Sequence, residues 1–213
     1  MQSRLPADVR RAQLVQSAIE VAERVGIESL TVRALSEHAE VTKGIVQYHF
    51  ETKQDLVIAM GEHLIVDVTE ILHAALDSAV GTRELPGVRG LRELVHGGLS
   101  AVWLLIEKSP DRQLLAYEIK TYLLRHRALG SATAAEIATG QYRIRDSEAR
   151  LFFEKCSAHT GTRWLEPVAS IARFGMATLD GLVLRWFVDG DDLEVLAQID
   201  DLSGLIAGKA VDC

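Results

Sequence analysis

Residues 41–56 read VTKGIVQYHFETKQDL, a stretch that gathers hydroxyl, amide, phenol, imidazole and ammonium groups around a single glycine. On a short helix from Lys43 to about Phe50, Val46 and Phe50 lie four apart and share one apolar face. At 100° per residue Gly44 and Tyr48 then point almost directly away from that face, with Lys43 and Gln47 beside them. A polar, glycine-containing face on the second of two short helices joined by a tight turn can enter the major groove of duplex DNA. The same spacing also fits an ordinary helical hairpin. No catalytic grouping competes with either reading. The seven histidines are scattered, and there is no His-Glu-x-x-His, no glycine-rich phosphate loop and no Gly-x-Ser-x-Gly elbow. His38 and His49 flank the turn and read as surface or DNA-side groups rather than metal ligands. Cys156 and Cys213 lack paired spacing and read as thiols of a reducing compartment. Neither an enzyme nor a cofactor or metal is expected.

The elements that must hold this face are helical. β-Branched clusters are sparse and asparagine is absent, whereas helical periodicity recurs from end to end. Leu14, Ala18, Val21, Ala22 and Val25 form the stripe of a first helix over about 8–25, stopped by Gly26. Thr31 caps a second helix carrying Val32, Leu35 and Ala39, and Thr42 caps the third. Thr52-Lys53-Gln54-Asp55 has capping-box spacing and opens a long fourth helix running to near residue 80. The segment GTRELPG breaks the pattern at 81–87. Five more helices are expected at about 88–108, 110–128, 131–158, 163–189 and 191–207, with Ser109-Pro110, Gly130-Ser131 and HTGT at 159–162 between them and Gly140 weakening the third. The expected fold is all-α, about nine helices in total.

The residues also carry a resemblance. The stretch at 41–56 resembles the recognition-helix signature of the tetracycline-repressor (TetR) family of bacterial one-component regulators, with Val41, Thr42, Gly44, Phe50 and Lys53 matching directly. IESLTVRALSEHAEV is similar to that family's second helix and LVQSAIEVAERVGIESLTV to its first, so the likeness covers about residues 8–60. Gln47 stands where the family usually has Tyr, and GIVQYHF looks more like the subgroup that includes repressors of choline-to-betaine genes. That shifts the phosphate contact of residue 47 onto Tyr48 or His49. Glu40 stands where the family commonly has the turn glycine, and a non-glycine in a left-handed conformation costs about 1 kcal/mol.

The resemblance implies a helix-turn-helix domain at 8–55, motif 31–50, that binds palindromic double-stranded operator DNA through Thr31, Arg33, Thr42, Lys43, Gly44, Gln47, Tyr48, His49 and Lys53. It implies a ligand-binding and dimerisation domain at 56–213. There Trp103, Tyr117, Tyr122, Phe152, Phe153 and Phe174 would line an effector cavity, with His96 and His126 as polar anchors. The helix at 163–189 is apolar almost all round near its end, which buries it on two sides. Gly175, Leu179, Leu182 and Trp186, with Leu196 and Ile199 of the last helix, would form a four-helix seam with a second copy. Each of these residues also fits a plain core.

Charge limits the DNA contact to a local one. With 23 Lys+Arg against 30 Asp+Glu the net charge is -7, unlike a chain that neutralises phosphates wholesale. The arm from Met1 to Arg11 is basic, and Lys43 and Lys53 bracket the third helix. No apolar run approaches the roughly 20 residues of a membrane span, and a cytoplasmic location is expected. The sequence therefore points to a homodimeric regulator, a repressor released by a small-molecule effector; an all-helical carrier or enzyme without DNA contact is the rival.

Overall fold

The structure is a computed structural model in which residues 6–64, 73 and 86–213 are described. Nine helices and one two-stranded sheet are present among the described residues, so the chain is all-α apart from that short pairing. Helix α1 is Ala7–Ser29, α2 Val32–His38 and α3 Lys43–His49. Helix α4 covers 53–64, and its expected continuation toward residue 80 lies outside the described residues, as does the break at 81–85. Beyond it come α5 (Gly87–Lys108), α6 (Pro110–Ala128), α7 (Ala132–Thr160), α8 (Val168–Asp189) and α9 (Asp192–Ala207), with strands β1 (Thr162–Trp164) and β2 (Ala210–Asp212).

Two compact units result. The first combines α1–α4 with α6 and the start of α7 up to Gln141; the second contains α5, the rest of α7, α8, α9 and both strands. In the first unit Leu14, Ile19, Leu35, Val46, Phe50 and Met60 share a core with Leu115, Ile119 and Leu123, which recur every four residues on α6. The N-terminal helices therefore do not stop at residue 55 in their packing: α6 completes their core. In the second unit α9 packs against both α5 and α8. Ile171, Leu179, Ile199, Leu202 and Ile206 are buried there, and Arg92 on α5 donates to Asp200 on α9 at 2.7 Å.

Gly26 breaks α1 where expected: its φ of 77° is outside the helical region, and one short helical turn, residues 27–29, follows the kink. Val25, expected on the buried stripe, is instead half exposed at 48%. Gly140 does not interrupt α7, consistent with a lone helical glycine costing only about 1 kcal/mol. The larger correction is at 163–167, expected as the start of a helix. Thr162–Trp164 is a strand antiparallel to Ala210–Asp212, in the register Thr162↔Asp212 and Trp164↔Ala210, and α8 begins only after Pro167. Three-residue strands are too short to show alternation, and this pair joins segments far apart in the chain, so local patterning carries no trace of it.

Candidate nucleic-acid interface and effector pocket

The motif is assembled from its caps and its turn. Thr31, in extended conformation, accepts the Ala34 amide on Oγ1 at 3.1 Å and starts α2. The α2–α3 turn places Glu40 at φ 52°, the one non-glycine residue with positive φ among the described residues. This is the left-handed position read from the missing glycine, and it gives up about 1 kcal/mol of backbone strain. The amide of Val41 closes the turn on the Ser36 carbonyl at 3.0 Å. Thr42 occupies the cap position of α3, yet its hydroxyl makes no capping bond. The expectation of a Thr42 cap is corrected on that point, and the hydroxyl is left exposed.

Val46 and Phe50 seat α3 on the core at 2% and 4% exposure, and Tyr48 on the far side is 81% exposed. Thr42, Lys43, Gly44 and Gln47 are exposed with it, and the half-buried His49 meets Tyr48 edge to face at 5.1 Å. A side chain at Gly44 would find only Thr42 Oγ1, at 3.9 Å, so the fold leaves this face open. On α2, Arg33 pairs with Glu37 at 2.8 Å. Both side chains are largely solvated, so the pair contributes little and can be exchanged for another anion.

Lys53 lies at the start of α4, where Thr52 and Asp55 cap each other reciprocally: the Thr52 amide donates to Asp55 Oδ2 at 2.9 Å and the Asp55 amide to Thr52 Oγ1 at 3.1 Å. The Lys53 ammonium donates to the Glu28 carbonyl at 2.9 Å, which ties the end of α1 to α4. His38 is held from α1. Arg24 can only donate, so it fixes Nδ1 as acceptor at 3.2 Å, and the Nε2–H then donates to Glu20 at 2.8 Å. That hydrogen bond, with a second from Gln16, lowers the Glu20 carboxyl below its ordinary 4.5. Spacing along one helix could not reveal this cluster, because its members lie on two elements.

The expected effector aromatics do not converge. In the second unit a cavity of about 20 Å³ is lined by Leu99 and Val102 of α5, Phe152 and Phe153 of α7, and Met176 and Leu179 of α8, all apolar. It has room for about one water. Phe152 borders it. Trp103 is buried and meets Trp186 edge to face at 5.0 Å, whereas Phe174 is 40% exposed under Lys209. Tyr117 and Tyr122 belong to the first unit. Tyr122 stacks on His126 at 4.3 Å, and burial, helped by Asp55, raises its phenol.

The residues expected at a dimer seam also separate. Leu179 and Ile199 are fully buried in their own protomer, and Gly175 sits against Ile206 and Phe153, where a Cβ would meet Ile206 Cδ1 at 3.3 Å. Leu182 and Trp186 are half-buried, and the Trp186 indole donates to Asp192 at 2.7 Å. Leu196 is exposed, beside Leu193 at 79%, and α8 exposes Val188 at 77% and Leu184 at 53%, with open space at Gly181.

Residues 14–60 match the family model described as bacterial regulatory proteins, tetR family. Over longer spans the chain is 22% identical to the HTH-type nicotine-responsive transcriptional repressor HdnoR of Paenarthrobacter nicotinovorans, covering 86% of each chain. It is 25% identical to the HTH-type transcriptional regulator BetI of Pseudomonas aeruginosa (strain LESB58), covering 86% of this chain and 84% of that one. Among solved structures, a tetR-family regulator from Cytophaga hutchinsonii superposes with a TM-score of 0.73 at 18% identity, covering 99% of this chain and 100% of that one. The resemblance read from residues 8–60 therefore holds, and the fold is that of such regulators.

Proposed function

We propose that this chain, which carries a tetR-type DNA-binding domain at its N-terminal end, is a transcriptional repressor that binds a palindromic operator as a homodimer and is released by a small molecule. The observation that carries the reading is the exposed face of α3. Gly44, Gln47 and Tyr48 stand clear of a helix whose other side, Val46 and Phe50, is locked into the core. A helix presented this way can reach base edges, with Tyr48 or His49, Thr31, Thr42, Arg33, Lys43 and Lys53 toward phosphates. The relatives named as HTH-type regulators support it.

A palindrome requires two heads. Leu184 and Val188 of α8 and Leu193 and Leu196 of α9 are exposed apolar residues of the second unit, and a second copy would cover them by a two-fold contact. The effector is assigned to the second unit. Its cavity is apolar but far below the roughly 300 Å³ of a small-molecule site, so α5, α7 and α8 would have to part around the ligand. The relative described as nicotine-responsive supports a small-molecule signal. No role as an enzyme is proposed. Among the described residues no helix is long and apolar enough to cross a membrane, and a cytoplasmic site of action accords with the DNA target.

The test is a titration of duplexes selected by the protein from a random pool. Two protomers per selected duplex, with affinity collapsing when one half-site is scrambled, is the expected result. Equal affinity for selected and scrambled duplexes would remove the reading.

A further inference from the structure

The guanidinium of Arg11, on α1, lies over the ring of Phe50, 5.0 Å from its centroid. Phe50 is the residue that ends α3, and its ring is almost fully buried. Arg11 itself is exposed and makes no ion pair or hydrogen bond among the described residues. The other described arginines of the helix-turn-helix region are engaged: Arg10 with Gln13, Arg24 with His38 and Arg33 with Glu37. Stacking on an aromatic face leaves the N–H edges of a guanidinium in its plane and free to donate, while holding the long side chain in one orientation. The stack therefore fixes an unspent cation beside Phe50, at the C-terminal end of the proposed reading helix.

We infer that Arg11 is a phosphate-binding residue of the DNA interface, clamping the backbone at the flank of each half-site that α3 reads. The inference rests on the regulator reading and adds α1 to the elements that touch DNA. Bidentate donation from a planar fork to a phosphate is the geometry such a stacked guanidinium offers. It carries no sequence information, so its loss should weaken selected and unrelated duplexes alike.

The experiment measures affinity against salt concentration for the full chain and for Arg11→Gln and Arg11→Lys, with a duplex selected by the wild type and a scrambled one, alongside thermal unfolding. Arg11→Gln should bind both duplexes about tenfold more weakly and lower the slope of log affinity on log salt by about 0.9. Arg11→Lys should keep the slope, because it keeps the charge, while losing part of the affinity with the stack. A lowered melting temperature with an unchanged slope in Arg11→Gln would overturn the assignment and leave Arg11 a packing residue of Phe50. Wild-type protein that selects no duplex would overturn the regulator reading and this inference with it, an outcome distinct from selection with an unchanged slope.

Discussion

Gly44 is the residue on which the proposed reading face turns. Its surroundings are open, so a larger side chain there changes the approach to DNA rather than the core. Gly44→Glu should therefore keep its melting temperature within a few degrees while operator affinity falls at least tenfold, since each lost base contact costs about 1–3 kcal/mol. Fluorescence anisotropy with the selected duplex checks it, and an affinity within threefold of wild type would move base reading off α3. Glu20 offers a pH-dependent counterpart. Its carboxyl is lowered by the His38 hydrogen bond, so it contributes stability above the ordinary value of 4.5 that is lost as pH falls through its lower folded value. In His38→Ala the Glu20 carboxyl should titrate closer to 4.5 by NMR, and an unmoved titration would mean that the α1–α2 link is absent in solution. At this scale the α3 face was legible because four-residue spacing on one helix places Val46 and Phe50 against Gly44 and Tyr48. The links from Glu20 to His38 and from Arg11 to Phe50 were not, because each joins residues of different elements.

At the scale of elements, α4 and α8 teach different lessons. The capping box at Thr52–Asp55 was readable because both partners are local, and it starts α4 at residue 53 as the spacing required. What spacing could not read is that Lys53 reaches back to the carbonyl of Glu28. Lys53→Ala should cost about 1 kcal/mol of stability from that bond and also lower the salt slope of DNA binding by about one unit. A melting shift with no change in slope would confine Lys53 to the cap. In α8 the apolar residues run almost all round, so periodicity marked a helix buried on two sides without saying which side the protomer keeps. The structure gives Gly175 and Leu179 to the protomer's own core and leaves Leu184 and Val188 outside. A seam through the latter predicts that Val188→Asp with Leu193→Asp yields folded monomers, because a carboxylate buried in an apolar contact costs several kcal/mol. Leu179→Asp should instead unfold the second unit. Light scattering with circular dichroism separates the two, and a dimeric Val188→Asp, Leu193→Asp protein would put the seam elsewhere.

For the molecule as a whole, local helical patterns announced the class of fold, yet the grouping of α6 with the N-terminal helices was hidden, since only tertiary packing sets Leu115, Ile119 and Leu123 into that core. That grouping matters because α3, the proposed reading helix, is only seven residues long and depends on its surroundings for rigidity. In the proposed complex two such heads read one palindrome. The most direct test is a footprint of the purified protein on fragmented DNA of its own genome, at physiological salt. The expected result is a small number of protected sites, each a pair of inverted half-sites, with protection lost in Gly44→Glu. Uniform retention of DNA regardless of sequence, or no protected site at all, would contradict it and favour an all-helical binding protein that never meets an operator.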